Sequence, residues 1–412
     1  MTHPPFNSDA VTEIRDLRTG TPLWAQSAPQ SPGHRLRHSA KADVVIVGGG
    51  ITGAMLAETL TRPGLSTIIL DRREPAHGST MASTALLQWE IDTPLVRLAD
   101  SIGFQRASRA WRRCFNAVST LSQLVCEHRI RCDFASRRAL YLAGEVMGAD
   151  ELGEEARCRQ AIGLPSTFLD AKELGAGFRI CRPAALISDG VADVDPARLT
   201  VGLLRRAQRR GAGIFYPEEL AEVYPSAACV GLATASGKEL EARALVFATG
   251  HELADGVPAN GHRRTSTWAF ATRPQPQSLW QDGALIWEAS TPYLYMRTTR
   301  DGRIVVGGED EPFSDEQERD ALLPKKLKAL QRKTSQLFPA LDVTAEFAWA
   351  GTFGESDTGL PSIGAIPGMA DCYAVLGYGG NGFTFGVIAA QVIAAELTGS
   401  PDPDADLFAF RP

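Results

Sequence analysis

The stretch Asp43-Val-Val-Ile-Val47-Gly48-Gly-Gly50-Ile-Thr-Gly53 decides how this chain folds. Residues 44–47 are apolar and β-branched, as suits a strand buried in a parallel sheet. Gly48, Gly50 and Gly53 then occupy the positions of a tight turn, a close approach of backbone to a ligand, and a close helix–strand contact. Ala54, Met55, Leu56, Ala57 and Leu60 continue as a helix packed on that sheet. A second apolar run, Thr67-Ile-Ile-Leu70, ends at Asp71, with seventeen residues between Gly53 and Asp71. An acid at that distance suits a ribose hydroxyl, and amides at the helix N-terminus suit a pyrophosphate. Strand, glycine triplet, helix, strand and acid in register predict a dinucleotide site that includes Ile51 and Thr52. Arg72, next to the acid, is placed with the cofactor-binding residues.

A second glycine cluster, Gly377-Tyr-Gly-Gly-Asn-Gly382, stands near the other end and opens another helix. Its amides suit a different part of the same cofactor, so a flavin site built from both ends of the chain is expected. Residues 372–395 carry no formal charge and are long enough to span a bilayer. The glycines within them favour a strand, a turn and a buried helix, and no membrane span is expected. Arg72 and Arg73 would also suit an NADP phosphate, a reading that the FAD pattern displaces.

At 412 residues the chain is long enough for two domains. Its net charge of −6 gives no reason to expect a nucleic-acid partner. The pairs Arg205-Arg206 and Arg209-Arg210 read as a solvated helix face. The seven cysteines show no C-x-x-C spacing and are odd in number. Reduced thiols in a cytoplasmic setting, and no metal site, are therefore expected. No signal-peptide pattern opens the chain.

The organisation reads as interleaved. Residues 1–40 form an N-terminal arm. Residues 41–95, 190–265 and 345–412 form an FAD-binding domain, and residues 96–189 and 266–344 a substrate-binding domain. The fold class expected is mixed α/β, a Rossmann-like FAD-binding domain interleaved with an antiparallel-sheet substrate domain. A long helix is predicted over 104–129, with Trp111, Phe115, Val118, Leu121 and Val125 near one face. Another is predicted over 198–210, and a third beginning at Pro324. Strands are predicted at 214–216, 244–248, 268–272, 285–288, 293–298 and 303–306, and a hairpin pairs 228–234 with 239–241.

Further motifs follow in order. Gly78-Ser-Thr80 comes after the second strand, Val194-Asp-Pro196 precedes a helix, and Leu245-Val-Phe-Ala-Thr-Gly250 ends a buried strand. Trp349-Ala-Gly351, Asp357, Leu360-Pro361 and Gly364 precede the second glycine cluster. With these, the chain from Asp43 onward resembles the D-amino-acid-oxidase-type superfamily of FAD-dependent oxidoreductases, which includes glycine oxidase, sarcosine oxidase and γ-glutamylputrescine oxidase. The resemblance implies that Gly78, Ser79, Thr80, Ser83, Thr84, Ala85, Thr249, Gly250, Gly351, Gly379, Gly380, Asn381, Gly382, Phe383 and Thr384 join the cofactor site. Branches that bond the flavin covalently carry a histidine where this chain has Ala82, or a cysteine within a segment matching residues 348–353. Neither is present, so noncovalent FAD is implied. The lysine that some members use with oxygen is replaced by Val305.

The chemistry implied is oxidation of a C–N bond in an amine or amino acid, with hydride passing to flavin N5 and the imine then hydrolysing. Oxygen or another carrier takes the electrons. Amides of residues 379–383 suit the negative charge of the reduced flavin. Gln88 and Glu90 follow the flavin-side turn, and Glu90 suits a cationic amine. Tyr293, Tyr295 and Arg297 alternate along one strand and so share a face, where the superfamily often holds a substrate carboxylate. Arg273 is a weaker candidate, and His77 reads as structural. A 2-hydroxyacid or polyol oxidoreductase on the same fold, or a flavoprotein subunit of a hetero-oligomeric dehydrogenase, remains the alternative. The oligomeric state stays open.

Overall fold

The computed structural model describes residues 11–225 and 229–410. The first ten residues of the expected arm, and Ala228 of the expected hairpin, lie outside the described residues. Two sheets organise the rest.

The first sheet runs in the order Ser362–Ala365, Cys372–Leu376, Glu239–Phe247, Ala40–Val47, Thr67–Leu70, Gly213–Phe215. Its centre is parallel, with Val44 opposite Ala244 on one side and Thr67 on the other. The helix Ile51–Leu60 leaves the Gly48 turn and is buried at every residue but Thr59. It is enclosed by the sheet and by helices Pro196–Arg209 and Gly382–Leu397. That is why its sequence is apolar nearly all round. Glu58 is the exception, and its carboxylate takes Arg206 at 2.7 Å and Arg210 at 2.9 Å.

The second sheet runs Arg18–Gly20, Ala345–Ser356, His262–Thr272, Ile304–Glu311, Leu294–Thr298, Leu285–Glu288, Ala135–Leu142, Ala184–Asp193, Leu86–Leu87. Ser166–Asp170 pairs beside it on Ala184–Asp193. It is antiparallel except where Leu285–Glu288 meets Ala135–Leu142 in parallel. Helix Glu316–Leu337 covers one of its faces. Among the described residues no helix is long and apolar enough to cross a membrane.

Several expectations shift. The strands His262–Thr272 and Ala345–Ser356 pair along their whole length in the second sheet. His262–Thr272 straddles the expected boundary at 265, and Ala345–Ser356, expected in the FAD-binding part, joins the same sheet as the strands expected in the substrate part. Helix Phe104–Glu127, assigned to the substrate part, packs its buried Trp111 and Val118 into the core that holds Ile46 and Ile388. Residues 239–241 and 244–248 merge into one strand. Its first half alternates exposed and buried residues beside the hairpin, and its second half is buried throughout. The helix expected to begin at Pro324 begins at Glu316. Asp315 caps it by accepting from the Glu318 amide at 2.7 Å, and Pro324 lies inside it. Asp195 likewise caps the helix expected from 198, so Pro196 occupies its first turn.

Candidate active site

Two cavities sharing Ile51, Ser79, Thr80 and Tyr378 run from the Gly48 turn to the second glycine cluster. The first is lined by Gly48, Gly50, Thr52, Asp71, Arg72, Gly78, Thr249 and Gly250. Gly48 has φ +109°, and a Cβ there would stand 2.4 Å from the Ala248 carbonyl oxygen. The Ile51 amide donates to Thr80 Oγ1 at 3.1 Å, so the cofactor-side turn at 78–80 is tied to the start of the first helix. Asp71 spans the glycine turn, accepting from the Gly49 amide at 2.6 Å and the Arg73 amide at 2.8 Å. Protein surrounds its carboxyl and raises its pKa, against the lowering effect of those two amides. Arg72 lines the cavity while donating to the Glu13 carbonyl at 3.1 Å. The buried Thr52 hydroxyl has no partner in hydrogen-bond geometry. A dinucleotide fits this cradle: the positive helix end borders its space, and Gly50 keeps that space open, since the nearest atom to a Cβ there would be Thr80 Oγ1 at 3.3 Å.

The second cavity is a chamber. Ser83, Thr84, Ala85, Gly351, Gly379, Gly380, Asn381, Gly382 and Phe383 line it, as do Gln88, Tyr293 and Tyr295. One wall is clamped in an unusual way. Three successive carbonyls each accept from a side chain: Ala82 from Trp349 Nε1 at 2.8 Å, Ser83 from Trp24 Nε1 at 2.7 Å, Thr84 from Arg297 Nε at 2.6 Å. Ala85 follows with φ +58°, a left-handed conformation that a non-glycine residue holds only when its surroundings fix it. No His or Cys lines the chamber among the described residues, in keeping with noncovalent FAD.

Four expected site residues point elsewhere. Arg297 lies outside the chamber, 2 % exposed. Its guanidinium serves the Thr84 and Val194 carbonyls and pairs with Asp193 at 3.2 Å, which leaves nothing for a substrate carboxylate. Glu90 is buried against Arg159 at 3.3 Å, and Arg159 also takes Glu155 at 2.8 Å, so Glu90 is a core ion and not an amine anchor. Thr384 turns away and donates to the Gln88 carbonyl at 2.5 Å. Gly53 contacts no cavity; a Cβ there would lie 1.9 Å from the Gly48 oxygen, so its role is helix–strand contact.

Other residues of the chamber were not foreseen. Trp287, Thr267, Thr352, Phe353, Tyr378 and Asp92 line it. Trp287 stands opposite Tyr295 in the strand register and stacks on Tyr141, with ring centroids 3.9 Å apart. Its Nε1 is buried without a partner. Asp92 lies in the irregular run that follows strand Leu86–Leu87, four residues beyond Gln88, and no sequence pattern marks it. It is open to the chamber by surface area although protein encloses it on most sides. That enclosure pushes its pKa up to about 6 despite bonds from the Gly380 amide and Asn381. Asp310 sits behind, beside Thr267 and Tyr293, with both oxygens shielded and neither in hydrogen-bond geometry. Burial pushes its pKa up to about 7. Burial likewise holds the Tyr293 and Tyr295 hydroxyls protonated, well above the usual phenol range.

A parallel nucleotide-binding sheet, a glycine-turn cradle and a chamber at the second glycine cluster define a flavin-dependent oxidoreductase. The chain belongs to the FAD dependent oxidoreductase family (DAO), whose pattern matches residues 43–396. It is 25 % identical to a probable oxidoreductase, OrdL, of Rhizobium meliloti, over 92 % of this chain and 87 % of that one. It is 23 % identical to the gamma-glutamylputrescine oxidoreductase of Escherichia coli, over 94 % and 91 % of the two chains. The glycine oxidase structure from Geobacillus kaustophilus superposes with a TM-score of 0.73 at 20 % identity, covering 90 % of this chain and 99 % of that one.

Proposed function

We propose that this chain oxidises the C–N bond of a small amine or amino acid. The observation that carries the reading is the continuity of the nucleotide cradle with the aromatic chamber, which brings a small molecule to the inner end of the cofactor. When bound, FAD supplies a two-electron acceptor for hydride from the carbon beside nitrogen. The nitrogen proton is released, and water converts the resulting imine to a carbonyl and a free amine. The chain's own residues do the rest. Trp287, Tyr293, Tyr295, Phe353 and Phe383 wall the space and restrict water. The amides of Gly379, Gly380 and Asn381 already serve Gly354, Asp92 and Tyr378, so the first-turn amides of helix Gly382–Leu397, at its positive end, suit negative charge arising at the inner end of the cofactor. Clamping of residues 82–84 holds the facing wall still.

Oxygen or a separate electron carrier takes the electrons in this reading, in a cytoplasmic setting. The test is anaerobic mixing of holoenzyme with amines, amino acids and hydroxy acids while following the flavin absorption, then admission of oxygen. Bleaching by an amine or amino acid is expected. Bleaching by hydroxy acids alone would refute the proposal.

A further inference from the structure

The chamber's electrostatics narrow the substrate. Its wall holds the carboxyl of Asp92 and, among the described residues, no Arg, Lys or His side chain. Asp92 is open to the chamber, and its partners are the Gly380 amide and Asn381, neither of them a cation. A second carboxyl, Asp310, stands behind Tyr293 with both oxygens out of hydrogen-bond geometry, and the two acids repel each other. Glu355 adds to that repulsion. It accepts from Thr265 at 2.5 Å and pairs with Arg263 at 2.9 Å, well short of neutralising the interior acids. The remaining wall is aromatic, with Trp287, Tyr293, Tyr295 and Phe353 presenting π-electron density. Aromatic faces beside carboxylates attract cations and disfavour anions.

We propose that the chamber selects a diamine-type substrate, one amine neutral at the reacting carbon and a second ammonium held by Asp92 and the aromatic wall, and that it excludes a carboxylate beside the reacting carbon. The inference rests on the amine reading above and deepens it. The second nitrogen follows from the chemistry. The reacting nitrogen needs its lone pair, so it has given up its proton before hydride leaves. A charge that persists for recognition must sit on another nitrogen. Asp310 acts from behind as a positioning residue, keeping the region negative through Tyr293.

The test uses holoenzyme and two probes that lack an oxidisable amine, benzyltrimethylammonium and phenylacetate. Each is titrated while the visible spectrum of bound FAD is recorded. The cation should perturb the spectrum saturably and bind at least tenfold more tightly than the anion. Asp92→Asn keeps an acceptor for the Gly380 amide but removes the charge, and should weaken cation binding roughly tenfold or more. Asp310→Asn lies outside every cofactor-lining segment and should weaken it in the same direction with FAD content unchanged. It decides the matter if Asp92→Asn fails to hold FAD. Tighter binding of phenylacetate, or unchanged cation binding in both variants, overturns the proposal. In the anaerobic panel 1,4-diaminobutane should bleach the flavin faster than glycine or sarcosine. Cation binding with no bleaching by any amine would overturn the reading of the reaction and uphold this one. Bleaching by amino acids together with tighter anion binding would overturn this one alone.

Discussion

Two glycines three residues apart should fail in opposite ways when each is replaced by alanine. At Gly53 an added Cβ would lie 1.9 Å from the Gly48 oxygen and 3.0 Å from its carbon. An ordinary C···O contact needs about 3.3 Å. Both groups belong to backbone in a buried turn, so neither can move aside cheaply. Overpacking typically costs about 1–3 kcal/mol, and this site belongs at the upper end. Thermal denaturation should therefore start about 3–4 °C lower in Gly53→Ala, with or without FAD. Gly50 differs. Its φ of −71° and ψ of −172° are open to alanine, and the nearest atom to an added Cβ is Thr80 Oγ1 at 3.3 Å. The apoprotein should keep its melting temperature or gain slightly. The methyl group instead enters the space from which a phosphate approaches the helix amides. FAD affinity, read by quenching of flavin fluorescence on titration into apoprotein, should fall tenfold or more, about 1.4 kcal/mol. Unchanged affinity in Gly50→Ala would remove the phosphate from the start of this helix. Loss of apoprotein stability equal to that of Gly53→Ala would show that the two glycines do the same job.

Asp71→Ala should weaken FAD binding by roughly tenfold or more, since it removes a charged acceptor from the cradle, and the same titration checks it. Arg297→Ala unties the buried Thr84 and Val194 carbonyls and leaves Asp193 with Arg137, at 2.6 Å, as its remaining ion-pair partner. It should cost about 1–3 kcal/mol in urea unfolding and lower FAD content. A folded variant with full FAD content and only a raised KM would instead restore Arg297 as a substrate anchor. Glu90→Gln should likewise act through stability, because Arg159 keeps Glu155 but loses its second acid; a change in kcat/KM without a change in unfolding midpoint would contradict that. Asp310 has a folded-state pKa of about 7, above that of an ordinary carboxyl. Its contribution to stability is therefore present at low pH and is lost as pH rises through about 7, where the folded protein must also ionise it. Asp310→Asn should flatten the decline in melting temperature between about pH 4 and pH 7, and an unaltered decline would assign it to other groups.

The lining of the first cavity was legible because its signals are local. Gly48, Gly50 and Asp71 lie on or beside one turn after a strand, and Gly379 to Phe383, in the second cavity, lie at a helix start. The substrate half was not, because strand alternation tells which face a side chain takes and nothing about what covers that face. Tyr295 and Arg297 do point the same way. Two residues along a strand is roughly 7 Å, and over that distance the chamber ends and Trp24 begins, with the Arg297 guanidinium 4.9 Å above its ring. Glu90 failed for the same reason, since only the fold brings Arg159 to it. Pro324 misled because a proline that suits a first turn is also tolerated inside a long, well-capped helix.

The arm gives the last step of the argument. The arm, rich in Pro, Ser and Arg, carries no motif that assigns it a role, yet its described part supports the chamber wall. Arg18–Gly20 pairs with Ala345–Ser356, the strand that brings Gly351, Thr352 and Phe353 to the chamber. Trp24 bonds the Ser83 carbonyl and underlies the guanidinium that bonds the Thr84 carbonyl. Trp349 bonds the Ala82 carbonyl from the same strand that the arm pairs with. Residues 82–84 carry no charge and make no demand on sequence that a motif would record. Their position is set by donors drawn from the arm and from two strands of the second sheet. This wall of the chamber is thus a product of long-range closure, and the described part of the arm is its support.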